Sequence, residues 1–301
     1  MKFENLLVFL NNPKDRFDIL SSRGFLDWMS DKRYIETCFK INFGRKINLK
    51  NPQTYSEKLQ WLKLNDRRDI YTTMVDKIEA KKYVADIIGE DYIIPTLGVW
   101  DSFEEIDFGK LPERFVLKCS HDSGGLVIVT DKSALDIKKA RDTINKSLKR
   151  NYYFSGREWP YKNVKPRILA EKYMEGNSGS SPDDYKFFCF DGIVKAMFIA
   201  SDRFADTETK FDFFDRDFNH LPFTNGHPNA EVMPAKPEAF EEMITLAEKL
   251  SKGIPHVRVD FYEIEGKVYF GELTLSHWSG FMPFSPEEWD VKFGEWLNLP
   301  N

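Results

Sequence analysis

Two acidic residues in the last quarter of the sequence, Asp260 and Glu272, lie on stretches that also carry Arg258 and Thr274. Residues 256–262 and 268–274 are rich in β-branched and aromatic types, and Gly266 falls where the chain must reverse, so a β-hairpin is predicted. Val257, Val259 and Phe261 then form an apolar face, and Arg258, Asp260 and Tyr262 a reactive one. Register decides what joins that reactive face. A three-residue loop over 264–266, with Gly266 left-handed in a bulge, sets Arg258 opposite Glu272 and makes Asp260 and Glu272 diagonal neighbours beside Thr274. A two-residue loop sends Glu272 to the other face; we expect the first. Two neighbouring carboxylates repel unless a cation lies between them, and Mg²⁺ takes one or two carboxylates together with water and phosphate oxygens. Taken alone, the stretch also reads as a solvated hairpin with ordinary surface charge.

A second group of residues suits anions. Lys118 ends an apolar stretch at 115–119 that runs into a loop holding Ser123, Gly124 and Gly125, followed by a further apolar stretch at 126–129. Glycines let backbone N–H groups approach phosphate oxygens, and a strand lysine adds a point charge. A tight hairpin with a snorkelling lysine is the alternative. The pattern is neither Walker A nor a dinucleotide fingerprint. Asp76 and Glu79 have capping-box spacing for a helix ending at Gly89, which would place Lys77 in its first turn. A cation gains nothing from the helix dipole there and is available to an anion. The strand predicted at 167–174, with Glu171, Tyr173 and Met174, breaks into a Gly- and Ser-rich linker at 175–182. Backbone groups at such a hinge can read an adenine edge. Asp184 and Lys186 follow, at the start of the clearest hairpin, whose turn is Asp191-Gly192.

These residues need a framework. Residues 1–65 read as amphipathic helices, including 31–43, stopped by Gly44, and a helix after a capping box at Thr54 and Glu57. Pro95 predicts an edge strand. A helix is expected over 133–150 and another from Pro237 to Gly253. The Phe-rich segment 201–236 is expected to pass over the site, and the loop 275–283 to lie against the carboxylate face. Ser285 is expected to cap a last helix carrying Trp289, Phe293 and Trp296.

At 301 residues and 42% hydrophobic content, the chain can build one large α/β domain or two or three packed lobes. A net charge of −5 argues against a nucleic-acid groove but leaves room for local basic pockets. Cys38, Cys119 and Cys189 are widely spaced, with no Cys-x-x-Cys, so neither a disulfide framework nor a zinc site is indicated, and a cytoplasmic location fits. Residues 1–10 have a short apolar run and an early Glu4, a poor signal peptide and too short to span a bilayer; a core helix is expected.

Taken in order, the pieces 51–58, 76–77, 115–118 with its glycines, 171–174, 184–187, 258–262 and 270–274 resemble the ATP-grasp superfamily, nearest its bacterial polysaccharide-biosynthesis branch, similar to the teichuronopeptide-biosynthesis (TupA-like) proteins. The resemblance implies an α+β or α/β chain of ATP-grasp fold, with two antiparallel-sheet lobes and flanking helices. A helical region at 1–65 would precede an ATP-grasp domain at 66–301, with a small nucleotide-covering lobe at about 110–172 and a catalytic lobe at about 173–297. ATP and Mg²⁺ are the implied cofactors. Lys77, Lys118, Ser123, Gly124 and Gly125 would hold phosphates, Glu171, Tyr173 and Met174 would meet adenine, and Asp184 would sit near ribose. Arg258 and Lys186 would be catalytic, and Asp260, Glu272 and Thr274 would carry the metal. The family usually has Asn where this chain has Thr274. The implied activity is a carboxylate–amine ligase of cell-surface or capsular polysaccharide biosynthesis, working through an acyl phosphate. Its partners would be a nucleotide, a carboxylate-bearing sugar or precursor, an amine acceptor and polysaccharide assembly proteins. Two other readings stand beside it. One is a glycosyltransferase, for which Asp215 and Asp217 supply only Asp-x-Asp spacing. The other is a catalytically silent nucleotide-binding assembly protein, suggested by Thr274 and the aromatic surface.

Overall fold

The computed structural model describes residues 12–176, 182–201 and 208–300; the stretch 1–10 and most of the Gly/Ser linker lie outside the described residues. Four helices open the described chain: α1 (Pro13–Ser22), α2 (Asp31–Phe43), α3 (Tyr55–Asn65) and α4 (Ile70–Val75). Gly44 ends α2 in the left-handed region, and the Thr54–Glu57 capping box forms at the start of α3. The next helix, α5 (Glu79–Ile88), starts later than the sequence suggests and has no side-chain cap. Asp76 instead accepts from the Ile78 N–H and pairs with Arg167 at 3.1 Å, so Lys77 precedes the helix.

A four-stranded antiparallel sheet follows, built from β1 (Thr96–Trp100), β2 (Phe115–Cys119), β3 (Leu126–Val129) and β4 (Ile168–Lys172) in the order β1-β4-β2-β3. Pro95 does precede an edge strand. Helix α6 (Ile137–Leu148) packs Ala140 and Ile144 onto this sheet, against Phe115 and Leu117. It starts later than the expected 133, with Asp136 as its cap, and the short helix α7 (Tyr153–Gly156) follows it.

The second sheet has six antiparallel strands: β5 (Asp184–Phe190), β6 (Ile193–Ser201), β7 (Lys210–Asp215), β8 (His220–Leu221), β9 (Val257–Ile264) and β10 (Lys267–Thr274), in the order β10-β9-β5-β6-β7-β8. Asp191 and Gly192, both at positive φ, make the expected two-residue turn between β5 and β6. Every residue of β5 is buried, because both faces of the sheet are covered. On one face Phe187, Val259 and Phe261 meet α8 (Phe240–Ser251) and α5. On the other, Phe188, Phe198 and Phe213 meet α3 and α9 (Glu288–Trp296). The expectation that 201–236 passes over the site does not hold for its described part: Phe211, Phe213, Phe214 and Phe223 are buried in these two cores. Nor does Ser285 cap α9, since its backbone is bridged to Thr224.

Candidate active site

The β9–β10 hairpin differs from the sequence reading in two ways that cancel. Its loop has two residues, Glu265 and Gly266, at φ 52° and 73°, and Lys267 pairs with Ile264. That register alone would turn Glu272 away. Between Phe270 and Glu272 the register slips by one residue, leaving Gly271 bulged out. Glu272 therefore returns to the reactive face, directly opposite Asp260 rather than diagonal to it, and Arg258 opposes Thr274. A Cβ on Gly271 would lie 3.1 Å from the Asp260 carbonyl oxygen, so the bulge suits glycine. Asp260 also pairs with Lys186 on β5, and Tyr262 with Asp184. One face thus collects Asp184, Lys186, Arg258, Asp260, Glu272 and Thr274.

Arg258 organises this face. Its Nε and Nη2 donate to the two Asp260 oxygens, each at 2.7 Å, and Nη2 also reaches Glu272 Oε1 at 2.9 Å and Thr274 Oγ1 at 3.0 Å. Lys186 Nζ bonds Asp260 and lies 2.7 Å from Asp184. Burial works against the ionised Glu272, yet Lys186, Arg258 and Lys77 outweigh it and hold this carboxyl at about 2. Burial raises the pKa of Asp260 against the pull of Arg258 and Lys186. The hard oxygen donors of Asp260, Glu272 and Thr274 suit Mg²⁺ in kind. Among the described residues no group of three or more His, Cys, Asp or Glu side chains is placed to hold a metal. The side of the pair open to an incoming cation is Glu272, whose side chain is 40% exposed, whereas both Asp260 oxygens are bound to Arg258.

Between the two sheets lies a cleft of about 1130 Å³, open solvent at its mouth included. Lys77, Lys118, Ser123, Gly125, Glu171, Tyr173, Met174, Asp184, Lys186, Asp260 and Glu272 line it. Of the residues singled out in the sequence, Gly124, Arg258 and Thr274 are not on its wall; the last two stand behind the carboxylates. Val116, Leu126 and Ile128 add an apolar side. The glycine loop is braced: Asp122 Oδ1 accepts from the Gly125 N–H at 3.1 Å, and Lys77 Nζ donates to the Asp122 carbonyl. Glu171 has both oxygens engaged, by Lys118 at 2.5 Å and Lys81 at 2.6 Å.

Three contributors escaped the sequence reading. Lys81 is the second cation on Glu171, and Lys172 lines the cleft. His277 sits in the loop expected against the carboxylate face, and its Nδ1 lies 2.7 Å from Arg258. Lys81 and His277 each act through a partner far away in sequence, so no local spacing marks them. Asp215 and Asp217 are not in the cleft; Asp215 holds its own turn by accepting from the Asp217 and Asn219 N–H groups. No helix among the described residues is long and apolar enough to cross a membrane.

The model of the TupA-like ATPgrasp family matches residues 57–298, so the chain belongs to that family. No curated protein matches it. Solved structures similar to it include N5-carboxyaminoimidazole ribonucleotide synthetase in its ADP complex, at 11% identity and a TM-score of 0.47 over 83% of this chain and 59% of that one. D-alanine–D-alanine ligase from Helicobacter pylori is 14% identical, with a TM-score of 0.43, over 83% of this chain and 68% of that one. The ATP complex of D-alanine–D-alanine ligase from Bacillus anthracis is 14% identical, with a TM-score of 0.42, over 95% and 96%. The chain spans 59% of the length of the first of these.

Proposed function

We propose that this member of the TupA-like ATP-grasp family is an ATP- and Mg²⁺-dependent carboxylate–amine ligase acting in cell-surface polysaccharide biosynthesis. The observation that carries the reading is the Asp260–Glu272 pair, braced by Arg258, on the six-stranded-sheet side of a cleft whose four-stranded-sheet side offers the Lys118–Glu171 pair and the strand end at Tyr173 and Met174. In the proposed reaction a carboxylate oxygen attacks the terminal phosphorus of ATP and the bond to ADP breaks. An amine nitrogen then attacks the acyl carbon, phosphate leaves, and the amine loses a proton.

Mg²⁺ held by Asp260, Glu272 and Thr274 would screen phosphate charge. Lys77, Lys118 and the loop at Ser123, Gly124 and Gly125 would bind phosphate oxygens. Since Glu171 is occupied by two lysines, the backbone of Tyr173 and Met174 would read the adenine edge, and Asp184 would lie near ribose. Arg258 and Lys186, fixed and buried donors, would stabilise the charge that develops on the transferring group.

Product formation from isotopically labelled substrate tests this directly. ADP should form from Mg²⁺–ATP only when a carboxylate and an amine are both supplied, and ¹⁸O from the carboxylate should appear in the released phosphate. Phosphate free of that label, with amide product formed, would exclude the acyl phosphate; sugar-nucleotide turnover without ATP would indicate a transferase.

A further inference from the structure

Arg258 is held from behind as well as in front. Its Nη1 lies 2.7 Å from His277 Nδ1, and His277 Nε2 lies 3.0 Å from Asn225 Oδ1. A guanidinium only donates, so Nδ1 must present its lone pair, and the single ring proton sits on Nε2 and is donated to Asn225. Asn225 is oriented in turn: its Nδ2 donates to the carbonyls of Met282 at 3.0 Å and Pro283 at 3.2 Å, which fixes its oxygen toward the imidazole. Asn225 and His277 are 1% and 4% exposed, so water does not substitute for these partners.

The turn that presents His277 is costly. Trp278 and Ser279 both have left-handed backbones, at φ 49° and 53°, and Gly280 follows at 67°. Bulky residues persist there only where the surroundings over-determine them, and such strain gathers at functional sites. Here Gln60 donates to the Ser279 and Gly280 carbonyls at 3.0 and 2.8 Å, Lys63 donates to the Ser279 carbonyl at 2.8 Å, and Ser279 Oγ donates to Glu158 at 2.6 Å. The charged or titratable groups that act on the imidazole are Arg258, Lys186 and His256, and the rings of Phe188 and Phe198 pack against it. Burial first, then the cations Arg258 and Lys186, keep the ring neutral.

We propose that His277 is a positioning residue for Arg258. As the Nε2–H tautomer oriented by Asn225, it accepts from Nη1 and leaves Nη2 to span Asp260, Glu272 and Thr274. The consequence for turnover rests on the ligase reading above; the tautomer and the hydrogen bond do not. The test joins ¹⁵N-histidine NMR of the full chain to kinetics of two variants. The His277 signal, identified by its loss in His277→Asn, should show Nδ1 bare and Nε2 protonated, without titration over roughly pH 5.5 to 8.5. In ATP turnover, His277→Asn restores an acceptor oxygen near the Nδ1 position and should retain most of the wild-type kcat. His277→Gln keeps only the distal amide and should lose about tenfold or more in kcat, with the KM for ATP little changed. A protonated Nδ1, an imidazolium near neutral pH, or equal kcat in the two variants would overturn the proposal. If the wild type consumes no ATP, the ligase reading falls while the NMR result still decides the tautomer. If His277→Gln does not fold, the wild-type spectrum decides it alone.

Discussion

Asp260 and Glu272 face each other directly across β9 and β10, and they do so because one residue, Gly271, is bulged out of the ladder between Phe270 and Glu272. A two-residue turn and a one-residue bulge, each of which alone would turn Glu272 away, together bring it back. Gly271→Val should therefore disturb the site from its backbone, since a Cβ there would lie 3.1 Å from the Asp260 carbonyl oxygen and 3.3 Å from Tyr262. A loss of about 1–3 kcal/mol in denaturant melts is expected. A larger fractional loss of nucleotide-induced stabilisation should accompany it. Wild-type behaviour in both assays would show that the bulge is tolerant and not site-forming.

The charge balance fixes the sign of a second pair of variants. Considered as isolated carboxylates, Asp260 and Glu272 only repel, and neutralising either would leave the ligand-free protein as stable or more so. The structure reverses that expectation, because Arg258 already bridges the two carboxylates and Lys186 pairs with Asp260 from β5. Asp260→Asn leaves two buried cations without their main partner and should cost about 3 kcal/mol or more in the absence of metal and nucleotide. Glu272→Gln, whose side chain is 40% exposed, should cost about 1 kcal/mol or less. Melts in EDTA distinguish the two views; an unchanged Asp260→Asn would return the pair to simple repulsion.

On the four-stranded sheet, Lys118 shares Glu171 with Lys81 of α5, one on each oxygen. Lys118→Ala should weaken ATP binding by about tenfold, roughly 1.4 kcal/mol, more than Lys77→Ala. Lys77 is already spent in part on the Asp122 carbonyl. Calorimetric titration of both variants checks the order, and the reverse order would make Lys77 the main phosphate contact.

His256 gives a pH dependence remote from the cleft. It is 1% exposed, with Nδ1 3.0 Å from the Cys189 carbonyl and Nε2 2.9 Å from Tyr55 Oη. Burial lowers its pKa from 6.5 to about 3. Between those values the unfolded chain binds a proton that the folded chain refuses, so stability rises with pH across that window. His256 contributes fully above about pH 6.5 and progressively less as pH falls toward 3. One proton is worth at most about 1.4 kcal/mol per pH unit. The slope of stability against pH below 6.5 should flatten in His256→Gln by up to that amount; an unchanged slope would mean that other groups set it.

How much of this the sequence displays depends on how local each cause is. The Asp191-Gly192 turn, the stop at Gly44 and the Thr54–Glu57 capping box depend on neighbours within a few residues, and all are legible and present. The Asp76–Glu79 capping box has the same spacing but does not form, because Asp76 is drawn to Arg167 from across the fold. Ser285 is likewise taken by Thr224. The residue types on the reactive face could be read from alternation, but their opposition could not, since the Gly271 bulge belongs to a pairing between strands. Lys81 and His277 carry no local mark, because each matters only through Glu171 or Arg258.

The central claim, that the cleft between the sheets binds Mg²⁺–ATP against Asp260 and Glu272, is tested most directly by melting wild type, Asp260→Asn and Glu272→Gln with EDTA and with Mg²⁺–ATP. At about a hundred times Kd the wild type should gain roughly 2.7 kcal/mol, and both variants should lose most of that gain along with ATP turnover. Variants that keep both the gain and the turnover, or a wild type that gains nothing at millimolar nucleotide, would contradict it.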